Sequence, residues 1–243
     1  MTTQQHHSKP PITEAIIDFQ VRLPAGKSMA ELEKCGTGET AQYPKRATDK
    51  RFLGVSQSSS VTAIAQQQVL VFKSRDDKQV FEVHGQGFSF HRLAPYDRWE
   101  TFRDEARRLW NLYRAVAQPT QITRMAVRYV NRLDLPGGPR FDLKQYFRTF
   151  PEISPELPRG VAGLFMQLDI PQEDIGATLR FTQALGKASS LTIAPIIIDI
   201  DLVRNANLPR DEAEIWRVIE ELHTRHNETF EACITDETRE LIK

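Results

Sequence analysis

Cysteine is scarce in this sequence: Cys35 and Cys233 are the only two among 243 residues. They stand far apart in the chain and nothing places them together, so two free thiols in a reducing compartment is the plainer reading. Long apolar runs are missing as well. The longest, Ile196 to Val203, is interrupted by Asp199 and Asp201 and falls short of the roughly 18 residues of a membrane span. Met1 to Lys9 is polar and lacks the apolar stretch of a secretory signal. A cytoplasmic protein without a membrane role is expected. Neither sign of charge prevails, with 32 Lys+Arg against 32 Asp+Glu. That balance gives no long-range attraction for DNA, RNA or an anionic membrane.

Signatures of known chemistry are absent too. There is no Gly-x-Ser-x-Gly elbow and no Cys/His pair at a familiar catalytic spacing. No Walker loop occurs, and Gly85-Gln-Gly87 lacks the third glycine of a dinucleotide fingerprint. His223 and His226 are three apart on a predicted helix, but His226 shares its apolar stripe and no further ligands complete a metal pattern. His6 and His7 read as a polar tail. No catalytic residue, metal or cofactor is expected.

What remains is an ordinary globular composition, 40% hydrophobic and 26% charged. Residues 1–10 read as a disordered tail and 11–243 as a single domain. Alternation from Ile12 to Leu23 puts Ala15, Ile17, Phe19 and Val21 on one face of a strand. Ser28, with Glu31 three residues on, starts a short helix. Gly36 to Lys50 reads as a polar loop. Four strands follow, at 51–56, 61–74, 79–84 and 87–93, with turns at Arg75–Lys78 and Gly85–Gly87. Between Tyr96 and Ala117 the period changes: Trp99, Phe102, Ala106, Leu109, Trp110, Tyr113 and Val116 mark an amphipathic helix, with Asp97 and Glu100 as a capping box and Pro119 as its stop.

The second half repeats the order. A strand spans 122–135, Pro136 to Pro139 makes a turn, and Asp142 caps a brief helix. Pro151 to Pro158 is loop, strands lie near 161–170, 176–185 and 191–203, and a long helix runs over 211–234 with a helical tail at 238–243. The expected fold is α+β: a curved antiparallel sheet from a pseudo-duplicated β-α-β(3-4)-α unit, halves 11–118 and 119–243, with both long helices on one face. The saddle-shaped fold of TATA-box-binding proteins has this element order, although a shared fold carries no function across.

The candidate site follows from the strand at 122–135. Arg124, Arg128 and Arg132 share one face, about 13 Å apart at strand rise. That spacing suits an elongated charged partner, or separate ion pairs with neighbouring strands. Glu14 and Asp18 on the first strand, and Asp199 and Asp201 on the last, are the acids that would face them. Asn131 falls on the apolar side and needs a backbone partner there. Between strand and helix, Arg92, Tyr96 and Trp99 combine arginine with aromatics as interface anchors do, while Trp99 is also in phase with the helix core.

Three segments carry a resemblance: Pro10-Pro-Ile-Thr-Glu-Ala-Ile-Ile17, Phe88-Ser-Phe-His-Arg-Leu-Ala-Pro-Tyr-Asp-Arg-Trp99 and Arg128-Tyr-Val-Asn-Arg-Leu133. In order and spacing they resemble a sporadically distributed, uncharacterised family of bacterial and archaeal proteins. That family has a Pro-Ile-x-Glu-Ala start, an Arg-Leu-x-Pro-Tyr-x-x-Trp centre and an Arg-Tyr-Ile-Asn-Arg strand. Val130 and Leu133 stand where isoleucine is usual. The resemblance implies no activity, only an accessory, possibly defence-related, gene setting. It places Glu14, Arg92, Tyr96, Trp99, Arg128, Asn131 and Arg132 among the family-type residues.

The function expected is therefore non-enzymatic recognition or regulation of a protein or small anionic ligand. Glu14, Arg92, Tyr96, Arg124, Arg128 and Arg132 are the binding set, with Glu14 orienting Arg128 and Arg132. Nucleic-acid binding by the arginine row is the less favoured alternative, and an enzyme with an unrecognised site the third. The oligomeric state stays open.

Overall fold

A computed structural model describes residues 9–58, 61–137, 142–154, 156, 162–188 and 190–243, without the side chains of 52–65. The expectations for residues 1–8 and for much of the 136–139 turn and the 151–158 loop lie outside them. The chain is α+β. Among the described residues nine strands form an open antiparallel sheet: β1 (Ile12–Arg22), β2 (Lys45–Ser58), β3 (Val61–Lys73), β4 (Gln79–His84), β5 (Gly87–Leu93), β6 (Gln121–Pro136), β7 (Phe165–Gln172), β8 (Ala177–Leu185) and β9 (Ile193–Arg204). The helices are α1 (Met29–Leu32), α2 (Trp99–Ala117), α3 (Leu143–Tyr146), α4 (Glu212–Cys233) and α5 (Asp236–Leu241). Among the described residues no helix is long and apolar enough to cross a membrane.

Two compact units share these elements. The first holds Ile16–Met125 with Leu208–Arg210; the second holds the chain through Ala15, Ala126–Asn207 and Asp211–Lys243.

In the first unit the strands run β2-β3-β4-β5-β1-β6. Alternation sends Ile17, Phe19, Phe81, Phe88 and Phe90 to the face that α2 covers, all of them buried. Phe19 stacks on Trp110 with centroids 4.2 Å apart, Phe88 meets Trp110 and Tyr113 at 5.9 and 5.8 Å, and Phe90 stacks on Phe102 at 5.4 Å. An aromatic core of this kind lets helix and sheet bury large areas with few residues. Gly87 exists for this packing: a Cβ there would stand 2.0 Å from the Phe19 carbonyl oxygen.

Two local boundaries in the first unit differ from expectation. The Gly36–Lys50 stretch is not wholly loop, because β2 begins at Lys45 and pairs with β3 from Lys45↔Lys73 onward. Tyr43 in that stretch is fully buried; its edge packs on Phe81, and its Oη lies 2.7 Å from both Gln79 Oε1 and Glu105 Oε1. A polar run thus hides one anchor that periodicity cannot reveal. The α2 N-cap is Arg98, with no side-chain cap bond, rather than Asp97. By contrast, the Ser28–Glu31 capping box forms in full.

In the second unit the strands run β1-β6-β9-β8-β7. Ile196, Ile198, Ile200 and Leu202 face the α4 side and are fully buried, as are Ile219 and Leu222 of that helix. Asp211 caps α4 by accepting from the Ala213 and Glu214 amides. Asn131 donates to the Ile198 carbonyl at 3.3 Å, tying β6 to the β9 backbone. His226 is buried against Tyr129, with ring centroids 4.2 Å apart, and serves the core. Lys9 N donates to the Ile242 carbonyl at 3.1 Å. Cys35 and Cys233 are free and buried, and burial pushes both thiols up in pKa, Cys35 to about 12.

Candidate functional site

The sheet side chains that point away from the helices divide between the units, and in the first unit they include a buried cluster of Val69, Val71 and Val80 beside the polar groups. In the first unit Arg124 on β6 bonds Asp18 on β1. Glu82 and His84 on β4 and Ser89 and His91 on β5 share this face, since Glu82 pairs with Ser89 across the ladder. Arg51 of β2 reaches Glu82 through two bonds of 2.5 Å, a fork-on-fork contact. Burial raises the Asp18 carboxyl above the ordinary range, against the opposing charge and hydrogen bond of Arg124. Burial also lowers His84, against the pull of Asp18 and Glu82. The Gln86 amide donates to His84 Nδ1 at 3.3 Å, a bond that only the neutral ring accepts.

Ser89, His91 and Glu82 have the residue types of a nucleophilic triad without its geometry. Ser89 Oγ is 2.9 Å and Glu82 Oε2 3.7 Å from the same ring nitrogen, Nε2 of His91. A relay needs serine on one nitrogen and carboxylate on the other. Glu82 is moreover already held by Arg51.

In the second unit Arg128 on β6 grips Asp199 on β9, with Nε–Oδ1 2.8 Å and a second bond of 2.5 Å to Oδ2. These bonds raise the Arg128 pKa, and the charges of Asp199, Asp201 and Glu14 add to the effect. Arg180 on β8 forks onto Asp169 on β7 at 2.9 and 3.0 Å, and it stands opposite Asp201 in the β8–β9 ladder. Acid and base therefore alternate across strands β7, β8, β9 and β6. Arg132 donates to Asp134 at 2.9 Å and toward the Lys187 carbonyl at 3.4 Å.

The structure brings Glu14 into electrostatic contact with Arg128, and Asp199 supplies a fork on the same guanidinium. Strand alternation reveals which face an acid takes; only the β6–β9 register reveals which acid an arginine meets. Arg92 and Tyr96 do not join Arg124. They line a small pocket on the helix-covered side of the first unit with Phe90, Asp97, Phe102 and Glu105. Arg92 lies on β5 in phase with Phe88 and Phe90, so strand periodicity alone already assigned it to that side. Glu82, His84, Ser89 and His91 were not singled out from sequence, although Glu82/His84 and Ser89/His91 each have the two-residue spacing of one strand face. Among the described residues no three His, Cys, Asp or Glu side chains converge as metal ligands. No protein-family model matches the chain, and no curated protein is significantly similar to it.

Proposed function

We propose that this protein is a non-catalytic recognition or regulatory module that holds a partner against the helix-free sheet face of its second unit. The observation that carries the reading is the Arg128–Asp199 fork: strongly bonded, yet with the Arg128 side chain 43% exposed and with Glu14, Asp201 and Arg180 near enough to act on its charge. Paired charges on an open face favour a partner with alternating charges that exchanges ion pairs, and they give specificity more than raw affinity. A protein segment fits this better than a phosphate backbone, because Arg124, Arg128 and Arg132 each already hold an acid. The repeated order of strand, short helix, strands and long helix supports descent of the two halves from one duplicated unit. The three sequence segments support kinship with the sporadically distributed family and its accessory setting.

The test is a charge swap, Arg128→Asp with Asp199→Arg. It keeps the pair and inverts the local field. Proteins co-purifying from the native host with wild type and lost from the swap, at unchanged melting temperature, support recognition. Identical co-purification by wild type and swap leaves the face structural and ends the proposal.

A further inference from the structure

The last strand of the second unit has an open side. β7 pairs with β8 from Phe165↔Ala184 to Gln172↔Ala177, and no other strand among the described residues lies beyond it. The Leu185 amide donates to the Leu164 carbonyl at 2.9 Å. In an antiparallel ladder a residue turns both backbone groups to one side, and successive residues alternate. Leu164, Met166, Leu168 and Ile170 therefore turn toward β8, while Phe165, Gln167, Asp169 and Pro171 turn outward. Proline agrees with this parity, since it lacks the N–H that an inward position would need. The Pro171 carbonyl accepts from the Gln172 side chain at 3.2 Å, so pairing along this side stops there. Three outward residues remain, each with one donor and one acceptor.

The side chains of this strand are equally open. Leu168 and Ile170 stand opposite Phe181 and Leu179, which are buried on the helix-covered face. Yet Leu168 is 38% and Ile170 40% exposed, and Phe165 on the other face is 74% exposed. The apolar face of the unit thus runs one strand past its cover. An open edge with apolar side chains on both faces is the kind that other proteins protect with charge or proline; here proline guards one end only.

We propose that β7 pairs with β7 of a second copy of this chain, antiparallel about a two-fold axis through Gln167. Phe165 then faces Asp169 of the second copy, Gln167 faces Gln167, and Asp169 faces Phe165. All three outward N–H groups of each copy find carbonyls, and Pro171 falls just outside. Met166 and Leu168 of one copy lie beside Leu168 and Met166 of the other, continuing the apolar face. A two-fold contact must be self-complementary, and these three residues are. The one charge in the row, Asp169, is already forked by Arg180, so no unpaired like charges meet, and the zero net charge adds no long-range repulsion. The contact is small and of the weak, concentration-dependent class.

Sedimentation velocity of the full chain from about 1 to about 200 µM reads the association. Wild type is expected to shift from monomer toward dimer across this range. Gln167→Pro removes an outward N–H that β8 does not use, and it is expected to stay monomeric with an unchanged circular-dichroism melt. In parallel, Gln167→Cys is expected to form an oxidised covalent dimer and Phe165→Cys not to, because only residue 167 meets its own copy. A wild type that stays monomeric at every concentration overturns the proposal, as does a dimer that Gln167→Pro leaves intact. If Gln167→Pro does not fold, the contrast between the two cysteine variants decides.

Discussion

Replacing His226 by phenylalanine should flatten the acid limb of the stability curve. His226 is 3% exposed, its Nδ1 lies 3.2 Å from Asn227 Oδ1, and its Nε2 has no hydrogen-bond partner. Burial pushes its pKa down to about 4 from an ordinary 6.5. The folded ring thus resists a proton that the unfolded chain takes up. Its contribution is complete above the unfolded pKa, falls as pH drops from 6.5 toward 4, and levels off below. A gap of this size corresponds to about 3 kcal/mol. Phenylalanine keeps the stacking on Tyr129 and fills the same space, while losing the Asn227 contact costs about 1 kcal/mol at neutral pH. The assay is urea unfolding followed by circular dichroism, wild type beside variant, in steps from about pH 7 to about pH 4. Comparing the two cancels the titration of His84 and Asp18. The difference between them should move by about 3 kcal/mol in favour of the variant on acidification. Parallel profiles would refute the reasoning, because the buried ring would then accept its proton as easily folded as unfolded.

Three further outcomes are expected. Gly87→Ala drives a Cβ into the Phe19 carbonyl at 2.0 Å and should cost about 3 kcal/mol or more in a urea melt, or abolish folding. Arg51→Ala leaves the Glu82 carboxylate, 7% exposed, without its fork and should cost about 1–3 kcal/mol; Arg180→Ala, whose pair with Asp169 is half exposed, should cost under about 1 kcal/mol in the same urea melt. Asp211→Ala removes the α4 cap and should cost about 1 kcal/mol, whereas Arg98→Ser supplies the side-chain cap that α2 lacks and should raise stability by about 0.5–1 kcal/mol.

Strand and helix periods were legible wherever one face is apolar and the other polar: β1, α2, β6 and α4 lie within a few residues of their expected positions. The α2 start was misplaced because Asp97 and Glu100 have the right spacing for a capping box while the helix begins later, at Trp99. The β2 start was missed because Lys45 to Lys50 carries no hydrophobic alternation; β3 recruits that stretch through backbone bonds, which side chains do not advertise. For the candidate site, alternation separated Arg124, Arg128 and Arg132 from the core side of β6. It did not identify which acid forks Arg128, Asp199, because that depends on strands distant in sequence lying side by side. The Glu82–Arg51 fork was hidden for the same reason.

The two buried thiols have a practical corollary for experiments. At neutral pH, Cys35 and Cys233 are both shielded and almost wholly protonated, so maleimides and iodoacetamide should attack them slowly. A single cysteine introduced on the surface becomes the one fast-reacting handle on the native chain. Fluorophores or spin labels can then be attached at chosen strands of either unit without first stripping out the native sulfurs.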